Sequence, residues 1–147
     1  MNVLGTVFET SLRILLLLSV IPGTSITEDR IWMIDYLSLY SEDFGFSSRN
    51  LHGYGAYRAG EYPAKRALAK DAIKSLVLDH QIAVKPTASG FRYSITEEGM
   101  EFCKQFTSDY SEDYITSVKR VVRKVQTLSD RQILFLIQNH AEADKEG

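Results

Sequence analysis

The sequence predicts a mainly α-helical domain of the winged helix-turn-helix type, with a small β-hairpin as the wing and extra C-terminal helices. Three segments with helical spacing precede two short alternating segments, and further helical segments follow. The turn Thr87-Ala88-Ser89-Gly90 joins the alternating segments, and the second of them runs into Thr96, a good helix cap. For 147 residues we expect one domain, with a winged-helix core at about 6–106 and a helical extension at about 108–143.

Composition limits the classes of partner. The net charge is −2, so we expect no overall attraction to nucleic acid or to an anionic membrane, and any DNA contact must come from a local patch. The single cysteine, Cys103, excludes an intrachain disulfide, and no cysteine or histidine spacing suits zinc. We expect Cys103 to be a small core residue. These features predict a cytoplasmic chain without a cofactor.

The first two predicted helices are strongly apolar. One covers about residues 6–20, with Thr6 as the cap and Glu9 completing a capping box. Its apolar run also resembles the core of a signal peptide, but it is too short to span a bilayer and Glu9 is wrongly placed, so we favour a buried helix. The second helix covers about 27–40. Its Asp35 is expected to be exposed or bonded to the following loop, with a functional role as the alternative.

Residues 41–61 have no regular spacing and are rich in glycine and aromatic residues. We expect a packed loop that holds the domain together or meets a partner. A third helix is predicted from Pro63 to about residue 79. Its basic row, Arg66, Lys70 and Lys74 with Lys65 nearby, is a candidate for contact with DNA phosphates, and a solvated face is the alternative. Residues that read bases are scarce there, so sequence-specific recognition is not expected.

Two long helices are predicted after the wing and the short helix that Thr96 caps. The first begins at Ser108 or Ser111 and ends near residue 128. Its outer face is basic, which is either an ordinary solvated face or a site for an anionic partner, and it contains Lys119, Arg120, Arg123 and Lys124. The last helix, about 131–143, has five consecutive apolar residues at 133–137. That is too many for one stripe, so part of this surface must meet another helix or another protein.

No residue set predicts catalysis or metal binding. His52 could act as an acid or base with Asp43 or Glu61, but no nucleophile accompanies it, so we favour a hydrogen bond that fixes the loop. Arg58 either binds an anion at the start of the third helix or pairs with Glu61 or Asp43. The segment Gly53-Tyr54-Gly55 follows no predicted strand and lacks the lysine of a phosphate-binding loop.

Several pieces of the chain follow one family's pattern in order and spacing. They are Thr6-Val7-Phe8-Glu9, Leu12-Arg13, the leucines 15–18, Asp35-Tyr36-Leu37, Tyr40-Ser41-x-Asp43-Phe44-Gly45, Leu51-His52 and Tyr57-Arg58-x-Gly60-Glu61. The chain resembles the small middle component of the ABC-three-component systems, which include the Lamassu-type bacterial defence systems. The resemblance covers residues 6–106. It departs after Leu51-His52, where the family pattern has a proline-rich piece.

The resemblance implies a role that the residues alone do not. Family members resemble non-catalytic accessory subunits of an SMC-like ATPase, encoded beside that ATPase and an effector such as a nuclease. We therefore expect a subunit that bridges ATPase and effector in defence against phage or plasmid, with nonspecific contact to double-stranded DNA and no membrane partner. The alternative is a free-standing winged-helix DNA-binding transcriptional regulator. The resemblance marks a loop or docking signature, which consists of Asp43, His52, Tyr57, Arg58 and Glu61.

Overall fold

The predicted order of helices and hairpin is present in the structure. The computed structural model describes residues 6–41, 44–46, 51 and 58–146, with the side chains of residues 58–61 and 141–146 left aside. The described elements are α1 (Val7–Ser19), β1 (Ile26–Thr27), α2 (Glu28–Leu39), α3 (Arg58–Leu78), β2 (Ile82–Thr87), β3 (Gly90–Ile95), α4 (Glu97–Cys103), α5 (Asp109–Val125) and α6 (Asp130–Glu146). The fold is thus mainly helical with a small antiparallel sheet, and it is winged-helix-like as predicted.

Helices α1 and α2 form the centre of the molecule. Thr6 starts α1 by accepting a hydrogen bond from the Glu9 amide (3.2 Å), and Thr27 starts α2 in the same way with the Arg30 amide (3.1 Å). The side chains of residues 14–18 and 31–39 are all buried. Apolar residues cover these helices on nearly every side because α3, α4 and α5 surround α1, and α3, α5 and α6 surround α2. The prediction of a buried first helix is confirmed. Among the described helices, none is long and apolar enough to cross a membrane.

Helix α3 begins at Arg58, so the prediction that it starts at Pro63 is wrong. Pro63 lies inside the helix, more than one turn beyond the first helical position that proline prefers. The turn before it is anchored by Tyr62, whose ring stacks on Trp32 of α2 (centroids 6.1 Å apart, planes 12° apart). At the other end, His80 adopts a positive φ of 60° and the Gln81 amide donates to the Leu76 carbonyl (3.0 Å), which closes the helix and starts the wing.

The wing is a three-stranded antiparallel sheet in the order β1-β3-β2. The predicted hairpin is present as β2 and β3; it places Val84 opposite Tyr93, and its turn uses Gly90 at φ 104°. Strand β1 pairs Ile26 with Tyr93 on the free edge of β3. The sequence does not reveal β1, because two residues are too few to show alternation.

Helices α5 and α6 complete the core rather than lying on its outside. The inner side of α5, including Val118, Val121 and Val125, is buried against α2, while its predicted basic outer face is mostly exposed. Ser129 and Gln132 form a reciprocal capping box at the start of α6 (2.8 and 3.1 Å). Buried residues of α5 and α6 belong to the same hydrophobic cluster as those of α1, α2 and α3.

Candidate functional site

Two residues of the predicted basic row face a groove between α3 and the wing. Lys70 and Lys74 are exposed and line this groove, which has a volume of about 450 Å³. Its other wall is the hairpin, where Val84 and Phe91 project from neighbouring strands. Phe91 is 60% exposed and Leu78, at the end of α3, is 69% exposed. We call this region the α3–wing groove.

Carboxylates also line the α3–wing groove, so its charge is mixed. Glu28 at the start of α2 and Asp71 on α3 lie among the two lysines. Arg66 is one turn away, and its Nη2 atom lies 3.6 Å from Asp29 Oδ1, in a pair that is more than half exposed on both sides. Lys65 is on another side of α3, half-buried, where its charge helps to lower the pKa of Asp35. The structure therefore places Lys70 and Lys74 in the groove, Arg66 outside it beside Asp29, and Lys65 on another side of α3.

The α3–wing groove suits a protein surface at least as well as a nucleic acid. Exposed lysines can contact phosphates, but the carboxylates beside them weaken attraction to a polyanion. Large apolar side chains that remain in water, such as Phe91 and Leu78, mark protein interfaces. This arrangement can bind a partner through apolar contacts ringed by charges of both signs.

The described part of the predicted loop is held at the C-terminal end of α2 by backbone hydrogen bonds and ring contacts. The Phe46 amide donates to the Ser41 carbonyl (2.8 Å), and the Leu51 amide donates to the Leu39 carbonyl (2.9 Å). The ring of Phe44 packs on Tyr36 and on His140 of α6, with centroids 6.1 and 4.6 Å apart. These contacts fit the expectation of a packed loop for the residues concerned.

Most of the docking signature falls outside the residues whose geometry is described. Asp43, His52 and Tyr57 are outside the described residues, and so is the segment Gly53-Tyr54-Gly55. Arg58 and Glu61 lie in the first turns of α3, where the backbone alone is described. The hypotheses about an acid–base His52 and an Arg58 ion pair stay hypotheses.

Asp35 corrects a prediction, because it is buried rather than exposed or bonded to the loop. It is 2% exposed and forms a bidentate pair with Arg13 of α1, with Nε to Oδ1 at 2.9 Å and Nη2 to Oδ2 at 3.1 Å. The Tyr114 hydroxyl of α5 donates to Oδ1 (2.6 Å), and Arg13 Nη1 donates to Glu9 Oε1 (3.1 Å). We call these four residues the buried polar network; it joins α1, α2 and α5.

The electrostatics of the buried polar network suit a structural role. Burial by itself would raise the pKa of Asp35, but the charge and hydrogen bonds of Arg13 and the bond from Tyr114 outweigh it, and the pKa is lowered. Burial, followed by the negative charge of Asp35, holds the pKa of Tyr114 well above its ordinary value. At neutral pH the carboxylate stays charged and the phenol stays protonated, so neither group is ready to exchange a proton.

One sequence signal could have revealed the network. Arg13 is the single charge in the otherwise apolar run 12–18, and Asp35 is the single, opposite charge in the otherwise apolar run 31–37. A charge in such a segment is stable when it is paired, so each predicts the other as its partner. The prediction that Asp35 is exposed or bonded to the loop is wrong because other helices surround α2.

Cys103 was predicted to be a small core residue; it packs against the core, but it is not one of the buried core residues. It is half-buried, its Sγ lies 3.7 Å from the Leu15 carbonyl oxygen, and burial raises the pKa of the thiol. A thiol of raised pKa is a poor nucleophile at neutral pH. Within the described part of the chain, no group of three or more potential metal ligands comes together.

Exposed apolar residues on α1 and α6 are further candidates for binding. Ile133 and Ile137 of α6 are buried, whereas Phe135 is 64% exposed, so the excess apolar surface predicted for the last helix exists. Phe8 on α1, which belongs to the first piece of the family pattern, is 68% exposed, and the sequence did not predict this exposure. Its exposure depends on which helices pack around α1, and only the fold shows this.

The fold and these surfaces define a winged-helix-like domain that presents apolar and mixed-charge faces to partners. Its family is established by comparison with known proteins. The family model for Middle Component 2 of the ABC-three component (ABC-3C) systems matches residues 3–146, and the chain belongs to that family. Neither a curated protein nor a solved structure shows significant similarity to the chain. As a middle component, it has partners within a multi-component system.

Proposed function

We propose that the chain is a non-catalytic accessory subunit of an SMC-like ATPase complex of the Lamassu type, active in the cytoplasm against phage or plasmid DNA. In this proposal it bridges the ATPase and an effector, such as a nuclease. The observation that supports the proposal most strongly is membership of the middle-component family. Large apolar side chains exposed on three separate elements, Phe8 on α1, Phe91 on β3 and Phe135 on α6, support a docking role. Two partners need two surfaces, and the chain offers them on different elements.

Contact with DNA is the weaker part of the proposal. Arg66, Lys70 and Lys74 could bind phosphates when the complex lies on DNA, and Lys65 belongs to the same candidate set. Asp71, Glu28 and Asp29 reduce the attraction. We therefore propose that these residues add nonspecific affinity within the complex. The signature residues Asp43, His52, Tyr57, Arg58 and Glu61 stay in the proposal as a docking segment.

Co-purification tests the bridging role. The tagged chain is expressed together with the two proteins encoded beside it, and the complex is recovered through the tag. We expect all three proteins to elute together, and we expect the ATPase and the effector to separate when the chain is left out. Elution of the chain alone from cells that express the whole operon would contradict the proposal.

DNA binding by the isolated chain separates this role from that of a transcriptional regulator. A subunit with few phosphate contacts should bind weakly, and its affinity should fall steeply with salt, by a slope of about 0.9 per phosphate contact in a plot of log affinity against log salt concentration. A regulator should bind one DNA sequence tightly as a symmetric dimer. Tight and sequence-selective binding in a gel-shift assay would favour the regulator.

A further inference from the structure

Helix α1 presents an apolar ridge between two grooves. Phe8 and Leu12, one turn apart, line both grooves. The groove of about 290 Å³ on one side is closed by Leu16, Phe106 and Tyr110, and we call it the α1 groove. The groove of about 600 Å³ on the other side extends towards the end of α3. A ridge between two grooves is the shape that an α-helix packs against, because its own side chains fall on both sides of the ridge.

The wall of the α1 groove contains a carboxylate oxygen without a partner. Glu9 Oε1 accepts from Arg13, but in the described part of the chain Oε2 is buried and accepts no hydrogen bond. Two other nitrogens of Arg13 are used in its bidentate pair with Asp35. Arg13 carries one positive charge against the two carboxylates Glu9 and Asp35 (1 − 2 = −1), and of these two carboxylates only Glu9 lines the α1 groove. A buried acceptor that is left unpaired is costly, so it favours a ligand that supplies a donor.

The surroundings of Glu9 strengthen this negative character. Burial and the carboxylates Glu9 and Asp35 raise the pKa of Tyr110 to about 12, against the lowering effect of Arg13. The described residues that line the α1 groove include no cation other than Arg13. The larger groove adds Asp79 and, among its described residues, no cation. The α3–wing groove, in contrast, contains two lysines.

We propose that the α1 ridge and its grooves bind an amphipathic helix of a partner subunit, and that a lysine or arginine on this helix pairs with Glu9 Oε2. The apolar side chains of the helix cover Phe8 and Leu12 and fill the space beside Phe106 and Tyr110. Its cation completes the buried polar network from outside. This inference rests on the proposed function, since the partner helix belongs to another component of the same system. Beyond that function, the inference specifies the face of this chain that binds the partner and the positive charge that the partner helix carries.

Paired variants test the inference in the co-expressed complex. Phe8→Ala removes an exposed anchor, and we expect recovery of the partner to fall on the order of tenfold or more, as for aromatic anchors at the centre of interfaces. Glu9→Gln keeps an acceptor for Arg13 but removes the charge, and we expect a loss of similar order. Glu101→Gln is the matched control, because its carboxylate is exposed on α4 and outside both grooves. Thermal unfolding of each isolated variant shows whether the fold is intact.

A photo-crosslink identifies the occupant directly. Leu12→p-benzoylphenylalanine is placed in the chain, the assembled complex is irradiated, and the linked peptide is identified by mass spectrometry. We expect a partner segment with helical apolar spacing and a lysine or arginine, and replacement of that cation by glutamine should weaken assembly as much as Glu9→Gln does.

The outcomes distinguish this inference from the proposed function. If the wild-type complex forms while Phe8→Ala and Glu9→Gln assemble normally, the docking face is wrong but the bridging role stands. If the cross-linked segment is acidic or is a second copy of this chain, the stated occupant is wrong. If the wild-type chain assembles with neither neighbouring protein, both proposals fail.

Discussion

The buried polar network and the α3–wing groove both contain cations and carboxylates, but the two regions use them in opposite ways. In the network, Arg13 and Asp35 are almost inaccessible, and bonds at 2.9 and 3.1 Å fix their geometry. In the groove, Lys70, Lys74 and Asp71 are exposed to water. Buried charges constrain the positions of helices because a wrong position leaves a charge unpaired. Exposed charges leave the fold almost unaffected and stay available to a partner.

Removing a charge from each region should give the largest contrast. Asp35→Asn leaves Arg13 buried without its bidentate partner, so we expect the free energy of unfolding to fall by about 3–5 kcal/mol. Asp71→Asn, the control in the groove, should change it by less than about 0.5 kcal/mol. Urea denaturation of the two variants measures both values. Similar values for the two variants would show that the network does not stabilise the fold.

The buried polar network should also make the free energy of unfolding depend on pH. The pKa of Asp35 is lowered in the folded chain from its ordinary value of 3.8, so its contribution is fully present above that pH and is lost as pH falls through the folded pKa. The difference in unfolding free energy between wild type and Asp35→Asn should therefore be constant near neutral pH and shrink in acid. For Tyr114 the pKa is raised above 10.0, so its contribution is present below pH 10 and is lost at higher pH. Urea denaturation at several pH values checks this. A difference that stays constant into strong acid would contradict the Asp35 assignment.

A smaller effect is expected where a charge is partly buried. Arg30 on α2 donates to the carbonyl of Val125, the last residue of α5, to the carbonyl of Leu128 in the α5–α6 connection and to Asp130 Oδ1, each at 2.9 Å. Arg30→Ala should cost about 1.5–3 kcal/mol, since it removes charged hydrogen bonds that hold the α5–α6 connection onto α2. Arg66→Ala is the matched control, because Arg66 is 57% exposed and lies 3.6 Å from its partner. It should cost less than about 0.5 kcal/mol. Thermal or urea unfolding that ranks Arg66 above Arg30 would overturn this reasoning.

The smallest effect on stability is expected in the α3–wing groove. Replacing Lys70 and Lys74 together by alanine should change the unfolding free energy by about 0.5 kcal/mol or less, since both side chains are exposed. Binding of the complex to DNA should nevertheless weaken, and the slope of affinity against salt should fall by about 0.9 for each lysine that binds a phosphate in the wild-type complex. Unfolding curves and salt titrations of DNA binding measure the two effects. A large loss of stability would show that these lysines belong to the fold rather than to a binding surface.

Local sequence signals were sufficient for most elements. The caps Thr6, Thr27, Thr96 and Ser108 act through backbone amides within the same turn, so the residue types alone locate the helix starts. The alternation in residues 81–95 predicts the hairpin because its pairing is local. The start of α3 was misplaced because a contact distant in sequence, the stacking of Tyr62 on Trp32, anchors the turn before Pro63.

The candidate surfaces were less predictable than the elements. The sequence identifies the basic row on α3, but it does not show that Glu28, Val84 and Phe91 come to lie beside Lys70 and Lys74. Those neighbours place the two lysines in a surface of mixed charge, and the DNA contact stays a prediction. The sequence likewise did not predict the exposure of Phe8, because burial depends on which helices pack around α1.

By itself, the sequence determined the order of helices and hairpin, the caps and the apolar centre of the chain, since these follow from contacts between residues close together in the chain. The tertiary structure decided the hydrogen bonds that Asp35 accepts from Arg13 and Tyr114, residues that are 22 and 79 positions from Asp35 in the chain. It also decided which apolar side chains stay in water. Both depend on how α1, α2 and α5 approach one another, and no local pattern encodes that approach.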